Sequence, residues 1–314
     1  MARRKKGSPV HGWVVIDKPR GVTSTQVVGI VRRVFDAQKA GHAGTLDPMA
    51  TGVLAVALGE ATKTVPYAMD ATKIYRFTVT FGEGRDSDDA EGAITGTSDK
   101  RPSRDEIEAA IPKLTGPISQ VPPVYSAIKV DGERAYDLAR DGEDVVLEPR
   151  TVLIHSVRFL DMADPDHAEF EMVCGKGTYV RAWARDLALS LGTLGYVSQL
   201  RRLAIGNFNV ERSIGLEPLK GFMHSPAAFE HLRPISTALD GIPALAVTGS
   251  DTVRIRSGNP ILIRANLFAR MKDGFADEGG LQGQTVFLKD ETDAPVALAE
   301  IADGELRPFR VFQL

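Results

Sequence analysis

Residues 41–52 read Gly-His-Ala-Gly-Thr-Leu-Asp-Pro-Met-Ala-Thr-Gly and stand directly before the apolar run Val53–Leu58. Three glycines and a proline in twelve residues exclude the interior of a helix or a strand. The six apolar residues that follow fit a strand buried on both faces. Any fold of this chain must therefore carry a shaped loop on the rim of an interior strand. The loop holds one carboxylate, Asp47, and one imidazole, His42. Pro48 biases Asp47 toward an extended backbone, which turns its side chain outward. The residues alone leave two readings: an ordinary Asp-Pro turn, or a catalytic platform with one acid at its tip.

Composition narrows the classes. A chain of 314 residues with 43% apolar and 25% charged residues is an ordinary globular protein long enough for two domains. No apolar run reaches the roughly 18 residues of a membrane span. The start, MARRKKGSPV, is basic but leads into no apolar signal core. One cysteine, Cys174, excludes an internal disulfide and fits a reducing compartment, so the expected location is cytoplasmic. The histidines lack HExxH and HxH spacing and CxxC is absent, so no structural zinc is expected. Neither GxxxxGK[ST] nor GxGxxG occurs, so no nucleotide-phosphate loop is visible.

The net charge of −3 does not point to nucleic acid, and its distribution is more informative than the sum, although each basic patch taken alone is more often a solvated face. Residues 83–108 hold nine acids against four bases, whereas residues 176–202 hold Lys176, Arg181, Arg185, Arg201 and Arg202 against Asp186 alone. Arg3-Arg4-Lys5-Lys6 is a second basic patch. Locally basic surface on a mildly acidic chain still binds polyanions. Asp86, Asp88 and Asp89 cluster in the acidic stretch without EF-hand spacing, and no metal is expected there.

Local patterns place these residues. Gly12–Pro19 reads as a strand ended by Lys18-Pro19. Thr23-Ser24 then offers an N-cap to a helix carrying Val27, Val28, Ile30, Val31, Val34 and Phe35. A short helix over Glu60–Met69 and a strand over Lys73–Gly82 follow. Residues 83–100 read as a loop. Ser103 and Glu106 form a capping box before a helix that Pro112 disturbs. The segment from Pro122 to Arg140 reads as strand, turn at Asp131-Gly132 and short helix with Tyr136 and Arg140 on one face. Leu153–Phe159 and Ala168–Val173 suggest a hairpin. Cys174–Ala188 reads as strand, glycine hinge and helix, with Leu187 and Leu191 turned inward. Val197–Gly206 is strand-like. Residues 211–242 connect, and Thr248 caps a short helix. Short alternating segments at Pro260–Arg264, Thr285–Asp290, Pro295–Ile301 and Leu306–Phe312 point to a small barrel.

Six of these stretches resemble one family, among them Lys73–Gly82, which follows its KxYxxxxxxG, and Val197–Gly206, which follows its xxLRRLxxGxF. Gly41–Leu54, GHAGTLDPMATGVL, resembles the catalytic loop of the TruB-type tRNA pseudouridine-55 synthases, with Asp47 at the place of the essential aspartate. The opening from Asp17 to Ser24 follows that family's DKPxGxTS stretch. Pro122–Arg140 follows PPxYSAxKxxGxxxYxxAR, and Lys176–Ala188 follows KGTYxRxxxxDLA. Residues 12–210 are covered strongly. The last 70 or so resemble a PUA-type RNA-binding domain by order and size.

The resemblance implies an α+β pseudouridine synthase fold: a large mixed, mostly antiparallel sheet flanked by helices, and a small C-terminal β-barrel. It implies a basic tail over 1–11, a catalytic domain over 12–242 and a PUA-like domain over 243–314. It implies an isomerase without cofactor, acting on uridine 55 in the tRNA T-arm, and a monomer. Asp47 would be the catalytic carboxylate, Arg181 its partner, and Tyr75 a ring stacked on the flipped base that also helps move the C5 proton. His42, Tyr179 and Leu200 would contact the substrate. Lys176, Arg201 and Arg202 would meet RNA phosphates, and Lys18 would touch either the RNA or the loop, or serve a structural role. Whether Asp47 attacks the sugar, attacks the base or removes a sugar proton stays open. The alternative function is a non-catalytic tRNA-binding or folding factor using the same surface. An aspartate-nucleophile phosphatase is disfavoured because no DxD pair accompanies Asp47.

Overall fold

The computed structural model describes residues 7–126, 128–130, 133–135, 145–223, 225–264 and 281–314. The basic tetrad Arg3–Lys6, the Asp131-Gly132 turn, Tyr136 and Arg140 lie outside the described residues.

In chain order the described elements begin with β1 (Gly12–Lys18), α1 (Ser24–Val34), β2 (Ala40–Ala43) and β3 (Thr51–Leu58). Then come α2 (Val65–Asp70), β4 (Lys73–Phe81), β5 (Glu83–Arg85), β6 (Ile94–Thr97), α3 (Arg104–Ala110) and β7 (Gly116–Gln120). A small hairpin, β8 (Lys129–Val130) and β9 (Glu133–Arg134), precedes the long strands β10 (Arg150–Asp164) and β11 (His167–Cys174). Next come α4 (Val180–Ser190), β12 (Gly195–Ile205), β13 (Phe208–Asn209), β14 (Ile214–Gly215), α5 (Leu216–Gly221) and β15 (Leu232–Arg233). The last part comprises β16 (Ala244–Ala246), α6 (Gly249–Arg256), β17 (Ile261–Leu262), β18 (Thr285–Lys289), β19 (Pro295–Ala302) and β20 (Glu305–Val311).

One large sheet runs β14-β1-β3-β12-β4-β11-β10-β7, with β2, β13 and β15 paired to its sides. It is mixed: β1 with β14 and β3 with β12 run parallel, and the neighbours from β12 through β4, β11 and β10 to β7 run antiparallel. β3 is buried along almost its whole length, as its apolar run requires, whereas β11 alternates buried and half-buried residues. That is the period of a sheet with one covered face.

The helices are positioned by their own sequence. Thr23 caps α1 with Gln26 in a reciprocal box, and Val27, Val31 and Val34 go into the core. α4 lays Trp183 against Phe77 and Phe170 with ring centroids 5.6 and 5.4 Å apart. The Trp183 indole N–H donates to Leu114 O at 3.0 Å. This packing fixes the first turn of α4 over the covered face of β4.

The acidic stretch read as a loop contains the hairpin β5–β6. Its glycines and acids hide the alternation that would mark it. The helix after Ser103 gives way to a 3-10 turn at Ile111–Leu114, where Pro112 sits. The C-terminal strands, in order β16-β18-β19-β20-β17, curl into a half-barrel. It is attached to the large sheet through apolar contact: Phe287, Leu298 and Phe312 share a buried cluster with Trp13, Val15, Val53 and Phe208.

One glycine in the loop-to-strand junction leaves no room for a side chain without strain. Gly52 has φ +96°, and a Cβ there would lie 2.2 Å from Arg202 O. β3 and β12 meet at this point. Gly52→Ala is expected to cost about 3 kcal/mol from backbone strain and overpacking combined, read as a lower urea midpoint with an unchanged slope.

Candidate active site

The loop carrying Asp47 connects β2 to β3 and is held by its main chain. Ser24 Oγ donates to Leu46 O at 3.0 Å and accepts from Leu46 N at 2.9 Å. Lys18 Nζ donates to Pro19 O at 3.0 Å, Val22 O at 2.7 Å and Pro48 O at 3.2 Å. Gly21 N donates to Pro48 O at 2.7 Å. From the other side, Arg202 donates to Gly44 O at 2.9 Å and Val53 O at 2.7 Å. Gly44 has φ +72°, a turn that suits glycine.

Arg181, in the first turn of α4, reaches this loop. Its Nε lies 3.0 Å from Asp47 Oδ2 and its Nη1 3.2 Å from Asp89 Oδ2. The guanidinium also donates to Ser87 O at 2.7 Å and Tyr125 O at 2.8 Å. Arg181 is almost wholly buried, whereas the Asp47 side chain keeps 35% of its surface open, so a ligand can reach the carboxylate. Burial pushes the Asp47 carboxyl above the usual range; Arg181 is the main opposing influence, Asp89 adds to the rise and Lys18 opposes it.

Asp47 opens on a cleft of about 530 Å³ whose walls include Tyr75, Tyr179, Arg181, Leu200 and Arg202. Tyr75 projects from β4, and burial raises its hydroxyl pKa against the Arg202 guanidinium beside it. Tyr179 precedes α4; its backbone N–H donates to Gln120 Oε1 at 2.9 Å and its carbonyl accepts from Gln120 Nε2 at 3.1 Å. Burial raises the Tyr179 pKa too, with a Ser126 hydrogen bond opposing. The cleft thus offers a reachable carboxylate paired with a buried guanidinium, a second acid, Asp70, at the rim, aromatic and apolar walls, and fixed cations. That set can take a flat polar ring and stabilise charge at its edge.

Asp47, Tyr75, Tyr179, Arg181 and Leu200 therefore meet in one place. Lys176 stands on the rim, exposed and 3.1 Å from Asp70. His42 lies on β2 opposite Val56, outside the cleft wall. Its Nδ1 is buried without a hydrogen bond among the described residues. Burial and then Arg202 lower its pKa.

Two expected phosphate contacts need correction. Lys18 is 0% and Arg202 1% exposed, and both spend their donors on loop carbonyls, so neither can meet an RNA backbone. Arg201 is half-buried and forms two bonds with Asp17, at 3.0 and 2.8 Å.

Sequence reading missed Asp88 and Asp89. Asp88 takes φ +58°, a sharp turn that aims both acids at α4. Asp89 meets Arg181, and Asp88 meets Arg185 at 2.8 Å. Burial lifts the Asp88 carboxyl to about 6 despite Arg185. The one available signal was two acids and two arginines in separate stretches, with no spacing to join them. Among the described residues no group of His, Cys, Asp and Glu is arranged to hold a metal ion.

Lys18→Met keeps the stem and removes the ammonium. It is expected to lower stability by about 1–3 kcal/mol, the cost of leaving buried carbonyls unpaired. The slackened loop should cost roughly tenfold in turnover. Urea melts and single-turnover rates check both.

Relatives carry the same chain from end to end. It is 51% identical over 318 residues to tRNA pseudouridine synthase B of Caulobacter sp. (strain K31), with 100% of both chains covered. The chain belongs to the TruB family of pseudouridylate synthases. The N-terminal domain of the TruB family matches residues 32–180, a span that includes Asp47, Tyr75 and Tyr179. The tRNA pseudouridine synthase B of Rhodospirillum rubrum is 48% identical over 316 residues, again across 100% of both chains. In structure, a chain of a Cbf5-Nop10-Gar1 complex superposes with a TM-score of 0.73 at 24% identity, covering 96% of this chain and 85% of that one. This is the same fold, half-barrel included. As a TruB-family protein the chain is an isomerase.

Proposed function

We propose that this chain converts uridine 55 in the T-loop of tRNA to pseudouridine, with Asp47 as the catalytic carboxylate. The N1–C1′ bond breaks, the uracil turns, C5 bonds to C1′, and the C5 proton is lost while N1 gains one. No redox step or donated group is involved. The observation that carries the reading is a reachable carboxylate set 3.0 Å from a buried arginine, at a cleft walled by Tyr75, Tyr179 and Leu200.

Asp47 would act at the sugar–base junction while Arg181 keeps it charged. Unstacking the uridine costs a few kcal/mol, which stacking on Tyr75 and apolar contact with Leu200 would offset. Tyr75 would then help remove the C5 proton. His42, half-buried beside the loop, would fill space near the vacated stack. Lys176 on the rim would meet a phosphate. Residues 243–314, a PUA-like unit in this reading, would add RNA-holding surface to the catalytic residues 12–242.

The test is incubation with an unmodified tRNA transcript followed by pseudouridine mapping. Modification at position 55 is the expected result. RNA unchanged at stoichiometric protein would overturn the proposal, and modification elsewhere would overturn the assigned position.

A further inference from the structure

The sheet strands that line the cleft carry a second, unassigned feature on their other face. Tyr75 and Arg202 face each other across β4 and β12 and point into the cleft. Their chain neighbours Arg76 and Arg201, also directly paired, must point the opposite way, because side chains alternate along a strand. Like charges set opposite each other on adjacent strands destabilise a sheet, so this pair calls for a compensating anion.

The protein's own carboxylates compensate it incompletely. Arg201 is satisfied by Asp17. Arg76, about half exposed, has Glu169 at 3.9 Å and Glu171 at 3.7 Å. Glu171 is held closer by Arg158, at 2.8 Å. A third cation, Arg20, joins them at a pocket of about 340 Å³. No hydrogen bond or close ion pair of Arg20 is found among the described residues, and Glu91 is the carboxylate that feels its charge. Thr51, Ser198 and Gln199 add neutral polar groups to the wall, and Glu169 is its one acid. Two guanidinium groups, Arg20 and Arg76, with a third, Arg201, held beside them by Asp17, one carboxylate and several hydroxyl or amide groups suit a phosphate oxygen set.

The location says which phosphate. Leu200 lines both this pocket and the cleft, so the pocket begins where the cleft ends. Arg20 also sits in the turn whose neighbours, Pro19 and Gly21, are tied to Lys18 and to Pro48 O, one residue beyond Asp47. An anion bound at Arg20 would therefore be anchored to the catalytic loop itself.

We infer that Arg20, Arg76 and Arg201 form a second anion subsite that holds a phosphodiester of the substrate RNA where the strand leaves the cleft. The inference rests on the reading of the chain as an RNA-modifying enzyme. The subsite supplies register: it fixes the distance between the unstacked uridine and the backbone beside it, and reads no base.

The test uses full-length protein and an unmodified tRNA, comparing the parent with the double variant Arg20→Ala/Arg76→Ala. Loss of one phosphate contact is expected to raise the Kd about tenfold and to make log Kd less steep against log salt by about one unit. kcat at saturating RNA should stay within about threefold, since neither residue touches the reacting atoms. Arg20→Lys/Arg76→Lys should restore most of the salt slope. Arg158→Ala, in the same row but outside the pocket, should leave Kd and slope near the parent's.

A double variant with the parent's Kd and salt slope would overturn the subsite. So would Arg158→Ala weakening binding equally, since the effect would then be general surface charge. A lowered melting temperature with an unchanged slope would mark the arginines as structural and also overturn it. A parent protein that leaves tRNA unmodified would overturn the functional reading instead, a failure distinguishable from these.

Discussion

Asp47→Asn is expected to reduce pseudouridine formation by at least about 10³-fold, the scale of removing a group that acts directly on the reacting bond. tRNA binding should change by less than about threefold, because the amide keeps the shape and removes a charge that repels phosphate. The two readouts separate an enzyme from an RNA-binding or folding factor: if turnover were retained, Asp47 would not be the catalytic group. The same variant carries a stability signature. Burial raises the Asp47 pKa above its unfolded value, so the fold holds the proton more tightly than the unfolded chain does. That contribution is complete below the unfolded-state pKa and is lost as pH rises through the folded one. At neutral pH the ionised side chain is therefore a strain on the fold, and Asp47→Asn should melt no lower than the parent. The acid limb of kcat should fall at a pH above that of a free aspartate and vanish in the variant.

Arg181 is the second large effect. It alone separates Asp47 from Asp89, with carboxylates at 3.0 and 3.2 Å, and it also holds Ser87 O and Tyr125 O. Arg181→Ala leaves two acids facing each other and should cost about 3–5 kcal/mol of stability. Arg181→Lys keeps the charge but has one nitrogen where the fork used three. It should fold, lose about 10²-fold in kcat through a misplaced carboxylate, and shift the acid limb to higher pH because the carboxylate loses the guanidinium hydrogen bond that opposes the rise. A pH–rate profile on the lysine variant measures both. An unmoved acid limb would separate Arg181 from the charge state of Asp47.

Much of this site could be read from the chain, and what could not has definable causes. The loop around Asp47 declared itself because three glycines and a proline admit so few backbones. Tyr75, Tyr179 and Leu200 were indistinguishable from packing residues by pattern, and only family resemblance singled them out. Arg181 looked like a solvated charge at a helix start, since nothing local shows that Trp183 pins that turn over β4. Asp88 and Asp89 were hidden in a run of acids whose partners arrive from α4, far along the chain. Lys18 and Arg202 were misread because charge in a sequence suggests solvent. Burial and the direction of a donor are tertiary facts. The half-barrel was visible as alternating short strands, but its apolar attachment through Phe287, Leu298 and Phe312 was not.

The supports under the Asp47 loop grip carbonyls and amides: Ser24 on Leu46, Lys18 and Gly21 on Pro48, Arg202 on Gly44 and Val53. They arrive from β1, from α1 and its approach, and from β12, the same elements that build the interior. A segment clamped in this way has no cheap opening of its own. The Leu46 and Ala50 amide protons, which donate to Ser24 Oγ and Asp47 O, should exchange with solvent about as slowly as those of the central strands, and on heating the molecule should keep its catalytic geometry until it melts as a whole.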